Sequence, residues 1–253
     1  MFAVWSRRLC SAGVDVVIAS LAEEIDAELQ AAGTPARAAQ ERAYLKSSLR
    51  HYGTPVPSTR AIAKAAARRH LGLTHDQLIA LVDTLWAEPV HERRLACVEL
   101  LGVYAKLLGP ADMVLIERLL RESQTWALVD PLAADVVGRL VEHHPATASV
   151  LDRWATDDDF WLRRSAMLAL LKPLRRGDGD FARFARYADA MLDEREFFIR
   201  KAIGWILRDT GRKRPDLVFE WLRPRAARAS GVTLREAIKP LSPAQRDAIA
   251  AAR

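Results

Sequence analysis

Two tryptophans, one aspartate and one arginine stand at intervals that place them on one wall of a repeating helical structure. Asp130 follows Trp126 by about one helical turn. Arg164 lies 38 residues after Trp126, and Trp205 lies 41 residues after Arg164. Aromatic faces and a carboxylate both attract cations. In a chain rich in arginine, this set predicts a site for a cationic group that is carried by a polyanion.

The elements that position these residues are predicted to be helices. Apolar residues recur at helical spacing nearly throughout, and no segment alternates as a β-strand does. From about residue 75 onward the helices pair at intervals close to the period of HEAT repeats, about 40 residues. The sequence therefore predicts an all-α, HEAT-like helical-repeat solenoid, curved with a concave basic face.

We predict one α-helical repeat domain over residues 1–253, with less regular N-terminal helices in 1–72 and HEAT-like helix pairs in 73–253. Thr74 with Gln77, and Ser242 with Gln245, match the capping box that starts a helix. Helices are expected near 14–32, 36–52, 58–71, 75–87, 89–108, 111–122, 131–143, 146–155, 159–172, 180–192, 195–211, 215–223, 232–239 and 243–252.

Three predicted helices begin with a pair of basic residues. Stacked in a solenoid, the pairs would form a line of positive charge that suits phosphate groups. The alternative is that they hold carboxylates of neighbouring repeats. The pairs are Arg93 with Arg94, Arg163 with Arg164, and Arg200 with Lys201.

Composition narrows the class of protein and of partner. Lys and Arg number 38 against 32 Asp and Glu, which gives a net charge of +6. This charge favours an anionic partner, either nucleic acid or an anionic membrane surface. Cys10 and Cys97 belong to no disulfide framework or metal motif. No apolar stretch is long enough to span a membrane, and a charged residue interrupts the N-terminal apolar run. We therefore expect a cytoplasmic monomer without metal, cofactor or membrane contact.

These motifs together resemble the AlkD-like DNA alkylation repair family, HEAT-repeat DNA glycosylases that remove positively charged N3- and N7-alkylated purines. The resemblance runs from about Tyr44 to Lys239. It is carried by the Tyr44-Leu45-Lys46 element with the Gly/Pro turn that follows it, by the stretch from Leu85 to Leu101, and by the segments around Trp126, Arg164 and Trp205.

The resemblance implies a role for each site residue. Trp126 and Trp205 correspond to two aromatic walls around the lesion, and Asp130 to the catalytic carboxylate. Arg164, or else Arg163, corresponds to an arginine that contacts the DNA backbone. Tyr44 corresponds to a tyrosine that reaches toward the duplex, and Lys46 in the same element is expected to bind DNA as well. The implied activity is that of a monofunctional glycosylase on double-stranded DNA, as in base excision repair.

The chain departs from the family's pattern around the carboxylate. Thr125 and Ala127 replace a tryptophan and an aspartate of the family motif, and Pro131 follows Asp130 directly. An Asp-Pro pair is typical of a helix start, where the aspartate caps backbone amides. Capping by Asp130 is therefore an alternative to catalysis.

The expected chemistry needs few groups. An alkylated cationic purine leaves as a neutral base, so no general acid is required. One carboxylate, Asp130, would stabilise positive charge growing on the deoxyribose and orient a water. Two other functions stay open: a DNA-binding relative without excision activity, and a protein–protein scaffold. The remaining tryptophans are assigned to packing: Trp5, Trp86, Trp154, Trp161 and Trp221.

Overall fold

The structure, a computed structural model, describes the backbone of residues 2–253 and the side chains of residues 16–253. Within this range the chain forms helices and no strand, and the predicted all-α helical-repeat fold is confirmed. The helices are α1 (Phe2–Ala32), α2 (Pro35–Leu45), α3 (Val56–Arg69), α4 (His75–Ala87), α5 (His91–Val103), α6 (Met113–Ser123), α7 (Trp126–Pro131), α8 (Gly138–His143), α9 (Ala148–Trp154), α10 (Phe160–Leu168), α11 (Leu171–Arg176), α12 (Phe181–Ala190), α13 (Phe197–Gly211), α14 (Pro215–Leu222), α15 (Gly231–Ala237) and α16 (Pro243–Ala251).

Both predicted capping boxes are present, at Thr74 before α4 and at Ser242 before α16. Other boundaries differ from the prediction. The helix expected over 36–52 ends at Leu45, because Lys46 takes a left-handed conformation with φ 49°. The helix expected over 159–172 is divided into α10 and α11. None of the helices in the described part of the chain is long and apolar enough to cross a membrane.

The chain divides into two compact units, residues 1–109 and 110–253. In unit 1, α1 packs against α3 and α4, and α5 packs against α3 and α4. Fully buried Ile25, Leu29, Leu78, Leu85 and Trp86 form much of its core. Helix α2 contributes no buried side chain, so apolar packing holds it less firmly than its neighbours.

In unit 2, α13 lies among α10, α11, α14 and α15. Gly204 lets α15 approach closely, since an added Cβ would lie 2.9 Å from the Thr233 carbonyl oxygen. Trp154, Trp161 and Trp221 are buried in this unit, as Trp86 is in unit 1, so the packing assignment of these four is confirmed. The side chain of Trp5 lies outside the described residues.

Ion pairs connect neighbouring repeats of unit 2 at a nearly constant sequence interval. Each joins a carboxylate to a guanidinium 34 or 36 residues away, which matches the repeat period. Side chains at equal positions of successive repeats therefore face one another. Such pairs are Glu117–Arg153, Arg121–Asp157, Asp130–Arg164, Glu142–Arg176, Asp152–Arg186, Arg175–Asp209 and Asp189–Arg225.

Candidate functional site

Asp130 lies near the end of a helix that begins at Trp126. Thr125 is the N-cap, and its hydroxyl accepts a hydrogen bond from the Ala127 N–H at 3.4 Å. Pro131 lies within the helix, and a π-helical turn, Leu132–Val137, follows at once. The helix start expected at Pro131 is therefore wrong, and Asp130 does not cap one. Its carboxylate is directed to a partner in the next repeat.

That partner is Arg164 on α10. Its Nε donates to Oδ1 of Asp130 at 2.8 Å, and its Nη2 donates to Oδ2 at 2.7 Å. The side chain of Arg164 is 3% exposed and that of Asp130 is 14% exposed. Such a bidentate pair is among the strongest and most directional hydrogen-bonded contacts in proteins. The pair therefore fixes the Asp130 carboxylate in position, and each of its oxygens keeps one further acceptor site.

Arg164 is also bound from the next repeat. Its Nη1 donates to the backbone carbonyl of Phe198 at the start of α13, and its guanidinium lies 5.9 Å from the centre of the Phe198 ring. The guanidinium thus joins three repeats, those of α7, α10 and α13. Arg164 is buried and holds the Asp130 carboxylate in this structure. Its predicted contact with the DNA backbone stays a prediction.

The two tryptophans of the predicted walls are both partly exposed. Trp126 precedes Asp130 by four residues on α7, which places both on one helix face. Trp205 lies on α13, and its indole N–H donates to Oδ2 of Asp209 at 3.1 Å. Asp209 is 2% exposed and also pairs with Arg175. The orientation of the Trp205 ring is therefore fixed by a buried carboxylate.

Four aromatic side chains at the starts of α10 and α13, here called the aromatic cluster, pack on one another: Phe160, Trp161, Phe197 and Phe198. The rings of Trp161 and Phe198 are 4.9 Å apart, those of Phe160 and Phe198 are 6.3 Å apart, and those of Phe197 and Phe198 are 5.5 Å apart. Phe197 is 53% exposed. The sequence analysis did not predict the ring contacts of Phe160. A signal was present, because the aromatic pairs at the starts of α10 and α13 are one repeat apart.

The remaining basic residues of unit 2 that were predicted to bind DNA have partners within the chain. Arg163 pairs with Glu194 at 2.9 Å and also donates to the Asp157 carbonyl. Arg200 donates to the Glu194 carbonyl, and Lys201 pairs with Glu236. The Arg163 and Lys201 pairs correspond to the alternative in which basic residues hold carboxylates of neighbouring repeats. Contact with phosphate stays a prediction for all three.

Four predicted DNA-binding residues belong to unit 1. Tyr44 and Lys46 are exposed at the end of α2. Arg93 is 12% exposed; it pairs with Asp26 at 3.2 Å and donates to the Leu85 and Thr84 carbonyls. Arg94 lies 4.9 Å from the centre of the Trp86 ring. Tyr44 and Lys46 are thus the more accessible of the four.

Comparisons with known proteins agree with this arrangement of helices. A family model described as DNA alkylation repair enzyme matches residues 25–241. A solved structure from Enterococcus faecalis, titled a predicted DNA alkylation repair enzyme, superimposes with a TM-score of 0.75 at 22% sequence identity. The match covers 83% of this chain and 97% of that one. A comparison with curated protein sequences finds no significant match.

Proposed function

Because the chain belongs to the DNA alkylation repair enzyme family, we propose that it is a monofunctional DNA glycosylase that excises cationic N3- and N7-alkylated purines from double-stranded DNA. The observation that carries this proposal is the Asp130 carboxylate, which a buried guanidinium holds one helical turn from the partly exposed Trp126. An oriented anion beside an aromatic face suits a reaction in which positive charge develops on a sugar.

Asp130 performs the chemical step in this proposal. The alkylated base takes the electron pair of the glycosidic bond and departs as a neutral molecule. It therefore needs no proton donor. The deoxyribose gains oxocarbenium character, which a fixed negative charge stabilises without reorganisation. The free acceptor sites of the carboxylate then orient the water that adds to the sugar carbon, and the proton that this water loses passes to solvent. Arg164 is a positioning residue, since it holds Asp130 through two hydrogen bonds.

Aromatic faces select the lesion by its charge. Trp126 and Trp205 are partly exposed, and Phe197 of the aromatic cluster is 53% exposed. A cation over such a ring gains about 0.5–2 kcal/mol, depending on how far water is excluded. Neutral lesions lack this attraction to the aromatic faces, so we expect hypoxanthine and uracil to be poor substrates.

Binding to DNA is proposed to come from phosphate contacts, in keeping with the net charge of +6. Tyr44 and Lys46 in unit 1 are exposed and suited to this role. The other predicted residues reach phosphate by giving up contacts within the chain. That contact is a carboxylate for Arg93, Arg163 and Lys201, a backbone carbonyl for Arg200 and the Trp86 ring for Arg94.

The direct test is excision from a duplex that contains a single 7-methylguanine, followed by alkali and detection of strand cleavage at that position. Asp130→Asn should lower the single-turnover rate by about 100-fold or more, the scale for removing one key electrostatic group. Asp135→Asn is the matched control, because Asp135 lies five residues further on and its side chain is 46% exposed. Equal rates for Asp130→Asn and the wild-type protein would refute a catalytic role for Asp130.

One observation supports a second candidate, a DNA-binding relative without excision activity. Both oxygens of Asp130 accept hydrogen bonds from Arg164, so part of the negative charge is already compensated. This candidate predicts binding of a 7-methylguanine duplex with no base release by the wild-type protein. The same excision assay, run beside a binding titration, separates the two functions.

A further inference from the structure

Helix α2 contributes one residue, Glu41, to a group of three polar side chains in unit 1. This helix has no buried side chain, yet the carboxylate of Glu41 lies close to another carboxylate and to an imidazole. Glu41, His51 and Glu92 each place one ligand atom within 4.8 Å of the others. These three residues come from α2, from the segment after it and from α5. We call them the Glu–His–Glu cluster.

Glu92 is the rigid member of the cluster. It is fully buried, and its carboxylate accepts hydrogen bonds from the backbone N–H groups of Tyr52, Gly53 and Thr54, at 3.0, 2.6 and 3.2 Å. Gly53 has φ 81°, and an added Cβ would lie 2.2 Å from the Thr34 carbonyl oxygen. The turn next to His51 is thereby held against Glu92.

The other two members have buried atoms without a hydrogen-bond partner among the described residues. Both ring nitrogens of His51 are in this state, and so is Oε2 of Glu41. The second oxygen of Glu41 accepts from Arg37 at 3.1 Å. Buried donors and acceptors are nearly always satisfied in folded proteins, by protein, water or an ion. Arg37 compensates part of the charge of Glu41, but a cation between the two carboxylates would reduce their mutual repulsion further.

We propose that the Glu–His–Glu cluster binds a single divalent transition-metal cation, for which Zn²⁺ is the best fit. One imidazole nitrogen and two carboxylate oxygens are a ligand set that Zn²⁺ accepts, with water at a fourth position. Mg²⁺ and Ca²⁺ instead prefer oxygen ligands alone. Two carboxylates also neutralise the charge of the cation.

The surroundings suit this site. The ring of His51 is stacked on that of His91, with centroids 4.6 Å apart and planes 12° apart, which orients the imidazole from behind. His51 also lines a cavity of about 310 Å³, together with Arg42 and Ser48. Zn²⁺ ligands lie about 2.0–2.2 Å from the metal, so binding draws Glu41 inward, and α2 has no buried side chain to resist that shift.

The role of the cation is to attach α2 to the rest of unit 1. Sequence reasoning expected no metal, and the members of the cluster, at positions 41, 51 and 92, form no recognised ligand motif. The proposal is independent of the glycosylase activity, because it concerns only residues of unit 1 and is tested without DNA.

The test uses the full-length chain, with any affinity tag removed and metals stripped by a chelator. Titration with Zn²⁺ followed by calorimetry should show one ion bound per chain, and saturation should raise Tm by about 5 °C. His51→Ala should weaken Zn²⁺ binding by about 100-fold or more, and Glu41→Gln by about tenfold or more. Co²⁺ should give visible d–d absorption bands that are absent in His51→Ala.

His143→Ala is the control, because His143 is an exposed histidine of unit 2; it should bind Zn²⁺ as the wild-type protein does. Glu41→Gln removes one charge at nearly constant shape, and its circular dichroism spectrum checks that the chain folds. Absence of a bound ion in the wild-type protein would overturn the proposal and leave the cluster to water. Unchanged binding in a folded His51→Ala would overturn it equally.

Discussion

Removing one partner of the pair between Asp130 and Arg164 should cost far more stability than removing one partner of an exposed pair. Both side chains are largely buried, at 14% and 3% exposure, and Arg164 also donates to the Phe198 carbonyl. Replacement of Arg164 by Met removes the guanidinium but keeps much of its apolar volume. The remaining carboxylate is then left in the interior without its cationic partner.

The expected magnitude follows from that burial. Removing one member of a buried ion pair costs about 3–5 kcal/mol. Because Asp130 retains some exposure, we expect Arg164→Met to lower the free energy of unfolding by about 3 kcal/mol, and Asp130→Asn to lower it by about 2 kcal/mol. The double variant should lose less than the two losses added, which gives a coupling energy of about 2 kcal/mol.

Glu142 and Arg176 provide a matched control. They are also 34 residues apart and pair at 3.0 Å, but their side chains are 35% and 52% exposed. An exposed pair of this kind should show a coupling energy of about 0.5 kcal/mol. Both double-mutant cycles are measured by equilibrium unfolding in urea, followed by circular dichroism, and are repeated in about 0.5 M salt. The coupling of the buried pair should persist in salt, because screening acts mainly on exposed charges.

Equal coupling energies for the two cycles would refute the reasoning, since they would show that burial of Arg164 does not strengthen its contact with Asp130. Loss of the Asp130–Arg164 coupling in salt would have the same meaning. Either result would also remove Arg164 as the positioning residue for the carboxylate.

Further predictions concern pH, the aromatic walls, the Gly53 turn and DNA binding. The hydrogen bond from Arg153 lowers the pKa of Glu117 to about 2, so Glu117→Gln should lower the free energy of unfolding by about 1 kcal/mol at pH 7. This loss is fully present above the ordinary glutamate pKa of 4.5 and disappears as pH falls toward 2, as urea unfolding at several pH values would show. Trp205→Phe should slow excision of 7-methylguanine less than Trp205→Ala does, in single-turnover assays run beside thermal unfolding; equal rates would contradict a wall role. Gly53→Ala should lower Tm in differential scanning fluorimetry, because its φ of 81° is strained for alanine. The logarithm of DNA affinity should fall with that of salt concentration by about 0.9 for each phosphate contact, and Lys46→Ala should reduce this slope by about one in fluorescence anisotropy; an unchanged slope would remove Lys46 from the interface.

The amino-acid sequence by itself determined the fold class, most helix starts and the packing role of four tryptophans. These features depend on interactions over a few residues: apolar spacing selects helix, and a hydroxyl with an amide three residues later starts one, as at Thr74 and Ser242. The repeat interval likewise predicted that Asp130 and Arg164 belong to neighbouring repeats. The family motifs around Trp126 and Trp205 are visible in the sequence alone.

Only the tertiary structure decided what the charged side chains contact. The Asp-Pro pair at Asp130 indicated a helix start. In the structure Thr125 caps the helix instead, and the Asp130 carboxylate binds Arg164 in the next repeat. The Glu–His–Glu cluster is likewise formed by residues from three separate segments. Local rules cannot predict such contacts, because the partner of a charge across a repeat depends on how successive helices pack, and several carboxylates compete for each guanidinium.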